Sequence, residues 1–160
     1  MERSLLFVCT ANICRSPMAE GLFSARVAAD SNSWRIASAG VYAQPGYPAA
    51  YYTLEVLNER GIGLGDHRSK PISSELMDQY NLILTMEQGQ KEALRLAFPQ
   101  HARKIFLLSE MGGEYRDIVD PVGGVYVDYL DTAREIETFL NRGFDRIYAL
   151  AGQNENKHGE

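Results

Sequence analysis

Three short stretches of the chain, residues 5–8, 82–84 and 105–108, are continuously apolar. A strand covered on both faces loses the in/out alternation that a half-buried strand shows, so these runs predict strands of a parallel sheet buried on both faces. Residues 34–39 alternate in part, as an edge strand would. Between the runs, apolar residues recur at helical spacing. Met18, Ala19, Leu22, Phe23 and Val27 follow the first run; Tyr52, Leu54, Val56 and Leu57 lead up to a stop at Gly61; and residues 87–98 form a third pattern, stopped by Pro99. The longest stripe, Ala133, Ile136, Leu140, Phe144, Ile147 and Leu150, predicts one C-terminal helix with Asp128 as its N-cap. Four strand–helix alternations predict an α/β three-layer sandwich around a parallel sheet. Right-handed crossovers then place a ligand at the carboxyl ends of the strands, where the first run hands over to Cys9.

Composition narrows the class without changing the fold. The 160 residues suit one domain, expected over residues 1–151, with the polar stretch 152–160 as a frayed tail. Sixteen Lys and Arg against 21 Asp and Glu give a net charge of −5, which argues against nucleic acid or an anionic membrane as the main partner. No apolar run approaches the ~20 residues of a membrane span. The run at 5–8 is too short for a signal-peptide core, so a cytoplasmic protein is expected. Two cysteines, Cys9 and Cys14, are too few for a disulfide scaffold, and His67, His101 and His158 are scattered. Neither a metal nor a cofactor is expected.

The candidate chemistry lies between the first strand and the first helix, in Cys9-Thr10-Ala11-Asn12-Ile13-Cys14-Arg15-Ser16-Pro17. A loop of this length, wrapping onto a helix N-terminus, turns backbone N–H groups inward and forms an anion nest. The same donors and the helix dipole stabilise negative charge on a sulfur at Cys9. Arg15 supplies a planar fork for two phosphate oxygens, and the Ser16 hydroxyl can donate to the sulfur. Asn12 suits a left-handed backbone position. A departing oxygen needs an acid, for which Asp120 in Asp117-Ile118-Val119-Asp120-Pro121-Val122-Gly123-Gly124 is the candidate. Cys14 can approach Cys9 across the curl of the loop, making it a candidate redox partner.

Leu6-Phe7-Val8-Cys9 through Arg15-Ser16-Pro17-Met18-Ala19-Glu20, then Trp34-Arg35-Ile36, Ser38-Ala39-Gly40 and Asp120-Pro121, resemble the low-molecular-weight protein tyrosine phosphatases over nearly the whole chain. The resemblance implies a four-stranded parallel sheet in the order 2-1-3-4, of the flavodoxin-like, phosphotyrosine phosphatase I-like type. It implies Cys9 as nucleophile, Arg15 as clamp on the transition state, Ser16 as thiolate partner and Asp120 as general acid. It further implies a brace under the loop from Asn12 to Ser38, joined by His67. The expected activity is cofactor-free hydrolysis of phosphotyrosine in proteins through a phosphocysteine, the partner being a phosphorylated protein and a monomer the simpler expectation.

The chain departs from the family after Asp-Pro, where an aromatic pair often forms one wall of the substrate cleft. Val122-Gly123 stand there, and Tyr42, Tyr47 and Tyr126 are the candidates to compensate. A branch that resembles phosphoarginine phosphatases also carries Gly-Gly after Asp-Pro, but has a threonine where this chain has Ile13. An apolar Ile13 favours a flat ring over a guanidinium whose N–H groups would go unpaired, which predicts phosphotyrosine ahead of phosphoarginine. Arsenate reductases of the same fold need cysteines outside the loop, which the chain lacks. A flavodoxin-like or catalytically dead phosphate-binding module would have no use for Cys9, Arg15 and Asp120 together.

Overall fold

In the computed structural model, which describes residues 2–153, four parallel strands pair in the order β2-β1-β3-β4. They are β1 (Arg3–Cys9), β2 (Trp34–Gly40), β3 (Leu82–Thr85) and β4 (Ile105–Leu107). The register pairs Leu5 of β1 with Ile36 of β2 and Leu82 of β3, and Ile83 of β3 with Ile105 of β4. The parallel sheet is the one that the apolar runs predict, and the strand order is the one that the family resemblance implies. Seven α-helices are described: α1 (Arg15–Arg26), α2 (Tyr51–Asn58), α3 (Ser74–Asp78), α4 (Gln88–Ala97), α5 (Leu108–Met111), α6 (Tyr126–Arg142) and α7 (Phe144–Ala151).

Alternate residues of the same strands feed two cores. Leu5, Phe7, Leu82 and Leu84 pack with α1, α2, α5, α6 and α7 on one face. Leu6, Val8 and Ile83 pack with Met77 of α3 and Leu94 of α4 on the other. Both faces of β1 are therefore buried, which is the physical origin of its uninterrupted apolar run. Phe23 of α1 anchors the larger core, with its ring edge-on to Trp34 at 5.0 Å and to Phe7 at 6.1 Å.

Three boundaries differ from the sequence expectation. The C-terminal stripe is two helices, because the chain breaks at Gly143, where a β-carbon would fall 2.5–2.7 Å from Met111. Asp128 is not the N-cap of α6; it lies one turn inside, and its Oδ2 accepts the Val125 N–H at 2.9 Å. The fourth strand stops at Leu107, and Leu108 opens α5. The short α3 has no periodic signal in the sequence and is started by Ser73, whose hydroxyl accepts the Leu76 N–H at 3.1 Å. Of the expected tail, residues 154–160 lie outside the described residues. Among the described residues, no helix is long and apolar enough to cross a membrane.

Candidate active site

Strand β1 ends at Cys9 and α1 begins at Arg15, so the intervening residues must turn through a tight loop at the carboxyl end of the sheet. Its curvature can be read from its carbonyls. Cys9 O accepts from Val41 N, Thr10 O from Tyr42 N, Ile13 O from Ala50 N and Cys14 O from Met18 N, at 2.9–3.0 Å. Asn12 O meets His67 Nε2 at 2.7 Å. In a trans peptide the N–H points opposite to the C=O, so outward carbonyls turn the N–H groups of Thr10, Ala11, Ile13, Cys14 and Arg15 inward. Asn12 makes the turn with φ of +61°, a conformation that asparagine tolerates better than most residues. The loop lies against Gly40, where a β-carbon would fall 2.5 Å from Thr10 O and 3.0 Å from Asn12 N. Only glycine fits at that contact.

Under the loop, hydrogen bonds impose a direction on the Ser16 hydroxyl. Asn12 Oδ1 accepts the Lys70 N–H at 3.0 Å, which orients the amide. Asn12 Nδ2 then donates to Ser16 Oγ at 2.8 Å and to Ser38 Oγ at 2.9 Å. Ser38 donates in turn to Glu20 Oε1 at 2.6 Å. Ser16, already accepting from Asn12, has its proton free for Cys9 Sγ at 3.0 Å, nearer than the alternative Ala39 O at 3.4 Å. Cys9, Asn12, Ser16 and Ser38 are all buried. The network thus presents a hydroxyl donor to a buried sulfur.

Arg15 is the largest fully buried side chain, 1% exposed. Its Nη1 is held by Glu87 Oε2 at 2.5 Å and by Ile118 O at 2.7 Å. Nη2 lies 3.4 Å from Asp120 Oδ2. Nε has no hydrogen-bond partner within the chain, one of two such buried side-chain atoms among the described residues; Thr53 Oγ1 is the other. An unpaired buried guanidinium N–H is costly unless a ligand takes it. Asp120 is 41% exposed on the loop between α5 and α6, and its Oδ1 accepts the Val122 N–H at 3.0 Å.

The loop and Asp120 enclose a narrow cleft lined by Cys9, Ala11, Ile13, Cys14, Arg15, Asp120 and Val122. Tyr42, Tyr47 and Tyr126 are not among its walls: the first two are 76% and 57% exposed, and the Tyr126 hydroxyl is turned to Glu59. Thr10, rather than facing the cleft, receives a hydrogen bond from Gln90 Nε2 at 2.9 Å. Cys14 Sγ sits 3.8 Å from the Tyr129 hydroxyl of α6. Burial pushes the Cys14 thiol up to about 11, and burial, with the Cys14 contact next, pushes Tyr129 up to about 12.

Sequence reading missed Glu20, Glu87, Gln90 and Tyr129. Glu87 carried a usable signal, since it lies two residues beyond β3, and β3 adjoins β1 at the carboxyl edge where such folds place their ligands. Glu20, Gln90 and Tyr129 meet the loop only through tertiary packing, which periodicity does not encode.

The chain is similar to known proteins along most of its length. The family model for low molecular weight phosphotyrosine protein phosphatase matches residues 4–153. A protein-arginine-phosphatase of Bacillus subtilis is 37% identical, covering 86% of this chain and 92% of its own length. A probable low molecular weight protein-tyrosine-phosphatase EpsP of Ralstonia nicotianae is 36% identical, covering 94% and 99%. A crystal structure of the low molecular weight protein tyrosine phosphatase from T. tengcongensis superposes with a TM-score of 0.86 at 39% identity, covering 91% of this chain and 99% of that one. With its strand order, its cysteine–arginine loop and this match along nearly all of its length, the chain belongs to the low molecular weight phosphotyrosine protein phosphatase family.

Proposed function

We propose that the protein hydrolyses phosphotyrosine in phosphorylated protein substrates through a phosphocysteine formed on Cys9. The observation that carries this reading is the unpaired Nε–H of buried Arg15 beside a cleft that Cys9 also lines. With Nη1 committed to Glu87 and Ile118, the Nε and Nη2 edge is left as a fork for two phosphoryl oxygens. The inward N–H groups of the loop take the remaining charge.

In the first step the Cys9 thiolate attacks phosphorus in line, and the bond from phosphorus to the ester oxygen breaks. The leaving oxygen takes a proton from the Asp120 carboxyl group. In the second step the Asp120 carboxylate removes a proton from an attacking water, the sulfur–phosphorus bond breaks and phosphate leaves. The Ser16 hydroxyl steadies the sulfur as it departs. Arg15 and the loop stabilise the equatorial oxygens in both steps, where positioning and electrostatics supply most of the rate.

Phosphotyrosine is favoured by the apolar walls that Ile13 and Val122 give the cleft, which suit a ring and offer no acceptor to guanidinium N–H groups. The second reading, phosphoarginine, draws support from the Val122-Gly123-Gly124 wall with no aromatic residue, and from the relatives named protein-arginine-phosphatase. Turnover of matched phosphotyrosine and phosphoarginine peptides under one condition separates them. A higher kcat/KM on phosphotyrosine is expected, and a higher value on phosphoarginine replaces the first reading by the second. A thiol nucleophile also requires a reducing compartment, which supports a cytoplasmic site of action, and no feature of the cleft calls on a second copy of the chain.

A further inference from the structure

Gln90 is a buried, uncharged side chain in the first turn of α4, and all the hydrogen-bonding capacity of its amide is used. Its Oε1 accepts from Met86 N and from Glu87 N, both at 3.0 Å. Its Nε2 donates to Thr10 Oγ1 at 2.9 Å and to Glu87 Oε2 at 3.3 Å. The two acceptor contacts close the turn that leads from β3 into α4. The two donor contacts diverge from one nitrogen, one to the cysteine loop and one to the carboxylate oxygen that holds Arg15 Nη1 at 2.5 Å.

From this arrangement we infer that Gln90 is a positioning residue for the phosphatase reaction: it ties the turn carrying Glu87 to Thr10 of the cysteine loop, and so fixes the Arg15 fork relative to Cys9. The inference rests on the function proposed above, since it assumes that the Arg15 fork grips a phosphoryl group. Glu87 is 35% exposed, and a solvated carboxylate on a free turn has many rotamers open to it. One amide removes that freedom twice over, by closing the backbone beneath Glu87 and by donating to its Oε2. The geometry is specific to glutamine. Glutamate would keep the acceptor for the two N–H groups but would lose the donor and set a second carboxylate against Glu87. Methionine fills the space with no polar group, and asparagine falls a methylene short of Thr10.

The experiment measures kcat/KM on p-nitrophenyl phosphate and vanadate affinity by calorimetry for the parent chain, Gln90→Met, Gln90→Glu, Glu87→Gln and the double variant Gln90→Met/Glu87→Gln. Both Gln90 variants should lose roughly 10- to 100-fold in kcat/KM, the size of effect seen when a group is displaced far from the chemistry. Vanadate affinity should fall alongside, because vanadate reads the Arg15 grip without needing turnover. The double variant should be no worse than Glu87→Gln alone, since both changes free the same guanidinium. Thermal unfolding of each variant distinguishes lost folding from lost positioning, and Gln90→Glu, with its backbone contacts intact, guards against a Gln90→Met that fails to fold. Kinetics and vanadate affinity within twofold of the parent, or losses that multiply in the double variant, overturn the inference. A parent chain that binds vanadate but turns over no phosphate ester counts against the proposed function, and the vanadate series then decides the role of Gln90 alone.

Discussion

Cys9 and Asp120 stand in opposite situations, one buried at the end of β1 and the other 41% exposed on a loop, and their substitutions should separate accordingly. Cys9→Ser should abolish hydrolysis of aryl phosphates while phosphate or vanadate still binds, because the loop N–H groups and Arg15 remain. Arg15→Lys should cost roughly 10²-fold or more, since a point charge cannot span two phosphoryl oxygens while also reaching Glu87 and Ile118. More than a few per cent activity in Cys9→Ser would exclude the covalent route. Asp120→Asn should slow phosphotyrosine much more than p-nitrophenyl phosphate, because a weakly basic leaving oxygen needs less proton donation; such help is worth ~10²–10⁴-fold. Equal losses on the two esters would transfer the role to another group, with Asp117 the next to test.

At the scale of elements, the cysteine loop and the helix pair at the C-terminus each make a prediction. Cys9 and Cys14 both line the cleft, and both are free thiols in this structure. Peroxide should oxidise Cys9 to a sulfenic acid with release of water. The Cys14 thiol then displaces a second water to form a disulfide that added thiols reverse. Without that partner, further peroxide carries the sulfenic acid on to the irreversible sulfinic acid, so Cys14→Ser should inactivate faster and stay inactive after reductant, and full recovery of that variant would exclude the protective role. At the junction of α6 and α7, Gly143→Ala should cost about 1–3 kcal/mol by pressing a methyl group into Met111. The loss is read as a lower urea midpoint with unchanged activity per folded molecule. Gly143 also marks a limit of sequence reading. The apolar stripe keeps its phase from Leu140 through Phe144 to Ile147, so periodicity sees one helix, and the break comes from contact with α5, more than thirty residues away. The strands were legible for the opposite reason: burial on both faces of β1 and β3 writes itself directly into the local sequence. Cys9, Arg15 and Ser16 were legible because one contiguous stretch carries them. Gln90 was not, because its meaning depends on Thr10, eighty positions earlier.

For the molecule as a whole, the buried Cys14 thiol links function to alkaline stability. The folded chain holds this proton up to about pH 11, against 9.0 for the group in the open. Stability from this source is at its full value below pH 9 and is lost as pH rises toward 11, by about 3 kcal/mol in total. Urea midpoints of the parent and of Cys14→Ser, taken from pH 7.5 to 11, should converge at the alkaline end. A difference that stays constant across that range would show that the thiol proton contributes nothing.

The phosphate-gripping half of the site, Cys9 to Ser16, joins the buried end of β1 to the buried start of α1, whereas Asp120 and Val122 are exposed positions on the loop between α5 and α6, beside the buried Ile118 and Pro121. Amino-acid changes therefore meet very different resistance in the two halves. A change beneath the cysteine loop disturbs the core and the reaction together, while a change on the outer loop away from Asp120, as at exposed Val122, alters which group is offered up with the phosphate. Such a scaffold can exchange one phosphorylated side chain for another over evolutionary time without relearning how to break the bond to phosphorus.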